Sequence, residues 1–276
     1  MTGQRSILIT GCSTGIGRHV AEGLKQRGYR VFATVRRQEN VEELCALGFE
    51  ALQLDLASSA SIHQAFAAVM ERTGNTLYAL FNNGAYGQPG AVEDLGRDTL
   101  REQFEVNLFG THELTTLAIP LMRRQGYGRI IQNSSLLGYV ALKYRGAYIA
   151  SKYALEGLTD TLRMELSDSG IFVSLIEPGP IQGNFRRNAW ASYRRNIDSS
   201  HSYHRSTYVT LEDRLQKEGP VVPFTLGPEA VLKRVIHALE SDRPRVRYRV
   251  TVPAHLFACL KWVLPDRVMD QILAKI

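Results

Sequence analysis

Nothing in the chain narrows its fold as much as the stretch from Arg5 to Arg37, RSILITGCSTGIGRHVAEGLKQRGYRVFATVRR. Ile7 to Thr10 is a short apolar run without alternation, the mark of a strand buried on both faces of a parallel sheet. Gly11, Gly15 and Gly17 follow at once. With Ser13, Thr14 and Ile16 between them, they let the backbone turn tightly and approach a pyrophosphate, while the next helix offers its N-terminus to the negative charge. A second strand, Val31 to Val35, closes the unit.

The alternation continues along the chain. Apolar runs at Leu52 to Asp55, Leu77 to Phe81, Arg129 to Ser134, Ile171 to Ile176 and Arg247 to Val252 read as strands. Helical spacing recurs over Ser58 to Arg72, Thr99 to Met122, Tyr148 to Leu166 and Gly227 to Leu239. Strands alternating with helices predict an α/β chain of the single-domain Rossmann type over residues 1–276: a doubly wound, largely parallel sheet with helices on both faces. Periodicity fails from Gln182 to Pro223, which predicts a mobile loop serving as a substrate lid. The tail, 253–276, is apolar beside basic residues and suits a pocket cover, a subunit contact or a membrane surface, the first two being the expected outcome.

Charge and cysteine usage exclude some classes. The chain carries a formal charge of +6, yet no nucleic-acid module accompanies it, so no nucleic-acid partner is expected. Cys12, Cys45 and Cys259 match neither a disulfide framework nor a zinc site. His201 and His204 lack a third ligand, so no metal is expected. With no secretory leader and no bilayer-long apolar run, the expectation is a reducing, cytoplasmic setting.

Chemistry concentrates between Ile130 and Leu158. Tyr148 and Lys152 are four apart in a helical pattern, so phenol and ammonium share a face. An ammonium there is expected to stabilise phenolate and bring the tyrosine closer to working pH from its usual value of about 10. Ser135 ends a strand, where its hydroxyl can donate to the same substrate oxygen. A carbonyl could be protonated by this group, or an alcohol deprotonated.

These residues, together with Thr10 to Gly17, resemble the short-chain dehydrogenase/reductase family over nearly the whole chain. The family's glycine form, Thr-Gly-x-x-x-Gly-Ile-Gly, is matched letter for letter. The resemblance implies that Tyr148 is the acid/base, that Lys152 holds the nicotinamide ribose and tunes Tyr148, and that Ser135 orients the carbonyl. It also implies that Asn107, in FEVNLFG, supports a water of the proton path. Cofactor contacts are implied at Asp55 and Leu56, at Asn83 and Gly84, and at Pro178, Gly179 and Ile181. Two departures are visible. Asn82-Asn83-Gly84-Ala85 exchanges the last two residues of the usual Asn-Asn-Ala-Gly, and Gly183 stands where a carboxamide-binding threonine is usual, leaving Gln182 or Asn184 as substitutes.

Arg36 follows the second strand, where NAD enzymes place a carboxylate against the ribose hydroxyl. A guanidinium pairs instead with a 2′-phosphate, so NADP(H) is the expected cofactor, with Arg37 and Arg18 as further contacts. The segments SKYALEGL and LIEPGPI and the apolar tail are similar to the retinol- and hydroxysteroid-dehydrogenase-like branch, which includes bacterial aldehyde reductases. The expectation is hydride transfer between nicotinamide and a hydrophobic aldehyde, ketone or corresponding alcohol, in a homodimer or homotetramer. Two other classes compete: an NADPH sensor without turnover, which needs a broken tetrad, and a peripheral membrane protein, which vesicle sedimentation would reveal.

Overall fold

The computed structural model describes residues 4–276. Strand β1 (Ser6–Ile9), helix α1 (Gly15–Gln26) and strand β2 (Arg30–Val35) form the opening unit. After it come α2 (Gln38–Ala46), β3 (Glu50–Gln53), α3 (Ser59–Thr73) and β4 (Ala79–Asn82). Next are α4 (Arg97–Phe104), a π-helical turn (Glu105–Phe109), α5 (Gly110–Gln125), β5 (Gly128–Asn133), α6 (Gly146–Glu165) and β6 (Ile171–Pro178). The last third holds α7 (Phe185–Asn196), α8 (Arg205–Gln216), α9 (Glu229–Glu240), β7 (Arg247–Val250), α10 (Val252–Val263) and α11 (Asp266–Leu273).

The seven strands make one sheet in the order β3-β2-β1-β4-β5-β6-β7, every neighbouring pair parallel. The expected doubly wound sheet is therefore observed. Alternate residues of each strand feed two cores. Ile7 and Ile9 pack with Val20 and Leu24 of α1 and with Val231 and Val235 of α9, while Leu8 and Leu80 pack with Ile62 of α3 and Leu114 of α5. Each such fully buried aliphatic side chain contributes about 1.5–3 kcal/mol. Because the chain reverses winding direction between β1 and β4, a crevice opens where those two strands end, and the glycine turn lies in it.

Several boundaries differ from expectation. Strand β3 begins at Glu50, not Leu52, because Arg30 of the neighbouring strand pairs with Glu50 at 2.5 Å and lets a charged residue open it. Asp55 thus lies beyond the strand, in a turn where its Oδ1 accepts from Ala57 N at 3.0 Å. The predicted helix from Thr99 to Met122 is α4 and α5 separated by the π turn. A β-carbon at Gly110, just after that turn, would stand 1.9 Å from Leu56 O, so only glycine lets the helix approach the β3 turn this closely.

The largest correction concerns residues 182–223. This is not a featureless loop, since α7 and α8 occupy most of it. They share a small core of their own, in which Tyr193, Ile197 and Tyr208 close over Ala91. Side chains also tie it to the body. Gln88 Oε1 accepts from Ser192 Oγ and from Asn196 Nδ2, each at 2.9 Å, and Tyr208 donates to Asp94 at 2.5 Å. Polar bonds substitute here for the aliphatic stripe by which such helices are usually recognised. His201 and His204 go separately to Asp198 and Glu93. Among the described residues no helix is long and apolar enough to cross a membrane.

Candidate active site

A cleft of about 730 Å³ runs along the carboxyl ends of the strands. Its floor is the glycine turn. A β-carbon on Gly11 would stand 2.8 Å from Gly84 Cα, and one on Gly17 would stand 2.3 Å from Gly11 O. The turn is thus as narrow as backbone allows. Helix α1 opens directly behind it at Thr14, without a capping side chain and without an acidic residue in its first turn. Its positive end therefore remains open to an anion, and Ser13, Thr14, Gly15 and Ile16 line the cleft there. A dinucleotide's pyrophosphate fits this cradle.

The exchanged Gly84 has a local reason. A β-carbon there would lie 2.9 Å from Leu56 Cδ1 and 3.2 Å from Thr10 Oγ1. Thr10 Oγ1 is itself fixed, because it accepts from the backbone N–H groups of Asn83 and Gly84 at 2.9 and 2.8 Å. Leu56 thus backs the floor, though neither it nor Asp55 lines the cleft.

A side-chain chain of hydrogen bonds joins this floor to the reacting group. Lys152 Nζ donates to Asn133 O at 2.7 Å; Asn133 Nδ2 donates to Asn83 Oδ1 at 2.9 Å; Asn83 Nδ2 donates to Thr10 O and Gly11 O at 2.9 and 3.2 Å. Tyr148 and Lys152 lie on the buried face of α6, as their spacing requires, and both line the cleft with Ser135. The Ser135 hydroxyl accepts from Leu137 N at 3.0 Å and is the neighbour that favours ionised Tyr148.

The electrostatics differ from the expectation. Burial pushes the Tyr148 phenol up to about 12 and outweighs the pull from Ser135. Burial also pushes Lys152 down to about 8, against the opposing charge of Glu156 one turn further on. The ammonium sits 5.8 Å from the Tyr148 ring centroid. Desolvation penalises phenolate and ammonium alike, so sharing a helix face does not by itself make the tyrosine acidic. Near neutral pH the phenol holds its proton.

Asn107 is buried in the π turn, and its side chain is fully engaged. Oδ1 accepts from Tyr86 N at 3.1 Å, while Nδ2 donates to Tyr86 O at 2.9 Å and Ser151 Oγ at 3.1 Å. Ser151 Oγ in turn donates to Tyr148 O at 2.7 Å. Asn107 therefore locks the loop after β4 to the turn of α6 that carries the tyrosine.

Arg36 and Arg37 are exposed beyond β2 and stand outside the cleft lining. Arg18 is already committed to Glu22 at 2.6 Å and Glu43 at 3.3 Å, which removes it as a free contact. Cys12 is fully buried, its thiol pushed up to about 12, and is a packing residue with no reactive thiolate. Across the cleft, Pro178, Gly179 and Ile181 line the wall. Gly183 faces Gly15, where an added β-carbon would come 3.5 Å from Gly15 Cα. Having no side chain it offers no hydroxyl, while Gln182 and Asn184 beside it both line the cleft.

Some lining residues escaped sequence reasoning. Phe185 packs edge-on against Tyr148 with centroids 5.3 Å apart, and Tyr144 and Leu211 face the same space. The far wall is lined by Leu256, Phe257, Leu273 and Ile276 of the apolar tail. Arg145, Arg186 and Arg214 also face in. Only Arg145, three residues before Tyr148, stood close enough in sequence to have been noticed.

Comparison with known proteins agrees with this geometry. The family model described as short chain dehydrogenase matches residues 5–194. The chain is 43% identical to uncharacterized oxidoreductase YbbO of Escherichia coli K12 over 270 residues, covering 98% of this chain and 94% of that one. It is 33% identical to human 17-beta-hydroxysteroid dehydrogenase type 1 over 261 residues, covering 89% and 77% respectively. A crystal structure of a short-chain dehydrogenase from Streptomyces avermitilis superposes with a TM-score of 0.81 at 28% identity, covering 100% of this chain and 97% of that one. With its glycine floor, its Ser-Tyr-Lys wall and these relatives, the chain belongs to the short-chain dehydrogenase/reductase family and is an oxidoreductase of that type.

Proposed function

We propose that the protein reduces hydrophobic aldehydes or ketones with NADPH, Tyr148 acting as the acid. The observation that carries this is the buried, neutral Tyr148 beside Ser135 at the cleft wall, joined through Lys152 and two asparagines to the glycine floor. When bound, the nicotinamide supplies the hydride. Tyr148 gives its proton to the carbonyl oxygen. Ser135, whose oxygen already accepts from Leu137 N, keeps its own proton free to donate to that oxygen and orient the carbonyl. The Lys152 ammonium stabilises the phenolate left behind, and Asn107 holds the tyrosine's turn in register through Ser151. A phenol that rests protonated suits reduction over oxidation.

Gly11 to Gly17 would receive the pyrophosphate, Asn83, Gly84, Pro178, Gly179 and Ile181 the nicotinamide half, and Asp55 and Leu56 the adenine side. Arg36 supports the choice of NADP(H), because a guanidinium attracts the 2′-phosphate and Arg36, exposed just after β2, forms no ion pair among the described residues. The apolar wall from Leu256 to Ile276 supports a hydrophobic substrate, and the same reading makes 182–223 its lid. It further takes residues 1–276 as one domain, cytoplasmic and assembled as a homodimer or homotetramer, which sedimentation velocity would test.

The direct test follows NADPH oxidation by absorbance against aliphatic, aromatic, retinoid and steroid carbonyls. Turnover that Tyr148→Phe abolishes is expected. Tight NADPH binding with no turnover across the panel would instead favour the sensor.

A further inference from the structure

Among the described residues the cleft wall carries four cationic side chains, Arg145, Lys152, Arg186 and Arg214, and no Asp or Glu. Lys152 is explained by the reaction. The three arginines are not. Elsewhere in the molecule arginines meet carboxylates, as Arg195 meets Glu102 at 2.7 Å and Arg247 meets Asp160 at 2.6 Å. Arg145 stands at the N-cap position of α6 without capping it, and its Nη1 donates to Lys143 O at 3.0 Å, while Arg214 comes in from α8 close enough for the two charges to repel. Burial, aided by that repulsion, pulls Arg145 down to about 10, with no acidic neighbour to restore it. Arg186 on α7 donates from Nη2 to Gly219 O at 2.6 Å, but its Nη1 is buried without a partner.

All three are carried by α7 and α8 or stand beside the residues packed on them. Arg145 adjoins Tyr144, which packs on Tyr208 and His204, and Arg214 sits between Leu211 and Leu215, so both belong to the α7–α8 side of the cleft. Bringing partly buried guanidiniums together without counter-charge is unfavourable in the empty cleft. It is offset when an anion arrives, because low-dielectric walls focus the field and guanidiniums bind carboxylate or phosphate in a planar fork.

We propose that the substrate is an amphiphile: an oxo compound with an apolar body along α10 and α11 and an anionic headgroup held by Arg145, Arg214 and Arg186. This rests on the carbonyl-reductase reading for the word substrate, but the anion subsite can be tested without turnover.

Medium-chain oxo acids and their methyl esters, with the carbonyl near to or far from the acid, are compared as substrates; sulfonate and phosphate heads serve as further arms to rank the anion. The acid should exceed its ester in kcat/KM by about tenfold to a hundredfold in at least one series, the range expected for a charge-assisted contact. In Arg214→Gln that ratio should collapse toward unity, whereas Arg214→Lys, which keeps the charge, should retain most of it. Esters equal to or better than acids in the wild type would overturn the proposal, as would a ratio unchanged in Arg214→Gln. Independently, a saturated fatty acid should bind the NADPH-loaded protein more tightly than the corresponding alcohol, by calorimetry, and lose that advantage in Arg214→Gln. If this binding holds while no carbonyl is reduced, the anion subsite stands and the reductase reading falls. If acid and alcohol bind alike, the subsite falls whatever is reduced.

Discussion

The floor of the cleft and its roof are held by different means. On the floor, between β1 and β4, backbone meets backbone: Gly17 against Gly11, Gly11 against Gly84, with Thr10 and Asn83 stitching the contacts. In the roof, α8 and α10 leave large apolar groups such as Val209 and Trp262 exposed, and α7 and α8 rely on side-chain bonds to Gln88, Asp94 and Glu102. A floor built from backbone tolerates almost no substitution, because no neighbouring side chain can yield. A roof built from side chains can change residue by residue, which is where selectivity for a substrate can be adjusted without disturbing the dinucleotide.

The greatest expected effect falls where the two meet. Tyr148→Phe should lower kcat about 10²–10⁴-fold, the range for loss of a general acid, while NADPH titrated by fluorescence binds as before. Gly17→Ala tests the floor itself. Its new methyl would meet Gly11 O, and overpacking of this kind costs about 1–3 kcal/mol, so NADPH affinity should fall by about tenfold or more and Tm with it. Unchanged NADPH affinity in Gly17→Ala would mean the floor is more compliant than its contacts indicate.

Arg36→Asp should come next, turning the preference between NADPH and NADH by about tenfold to a hundredfold through like-charge repulsion with the 2′-phosphate. A preference that does not move would remove Arg36 from the cofactor site. On the roof, Tyr208→Phe deprives Asp94 and Ala91 N of a shared hydroxyl and should cost about 1–2 kcal/mol locally. The distinguishing readout is a raised substrate KM with NADPH affinity held. An equal loss of both would show that floor and roof are one cooperative unit.

The same contrast explains what could be read from sequence. Floor residues were legible because a backbone requirement maps onto one residue type: Gly11 and Gly17 could be nothing else. Tyr148 and Lys152 were legible because helix geometry fixes four-residue neighbours. Their titration was not, since burial depends on packing from elements far apart in sequence. Helix α7 was hidden because its inward positions are Ala189, Ser192 and Tyr193, which carry no aliphatic stripe. The π turn left no mark on the pattern around Asn107, and Arg145, Arg186 and Arg214 are arginines like any others until the fold brings them to one cleft.

An effect visible only as a change with pH is expected at the joint, where β6 passes from floor to roof. Glu177 is fully buried just before the Pro178-Gly179 turn, with Arg247 Nε at 2.9 Å from one oxygen and Arg249 Nε at 3.3 Å from the other. Neither contact has hydrogen-bonding direction, and Arg247 is shared with Glu156 and with Asp160, which Arg163 also holds, so Glu177 has only part of the charge of Arg247 and Arg249. Burial, reinforced by Glu156, therefore raises Glu177 from an ordinary 4.5 to about 7. A carboxyl whose folded value lies above its unfolded one holds an extra proton in the folded state. Its stabilising contribution is complete below the unfolded value and is lost as pH rises through the folded value. Between about pH 5 and pH 8 the wild type should therefore lose about 1–3 kcal/mol more stability in denaturant titrations than Glu177→Gln, which has no proton to release. A wild type that gains stability over this range would mean that Arg247 and Arg249 win and hold Glu177 ionised. The joint would then be an ion pair, fixed as firmly as the floor, and the roof's freedom would begin only after Gly179.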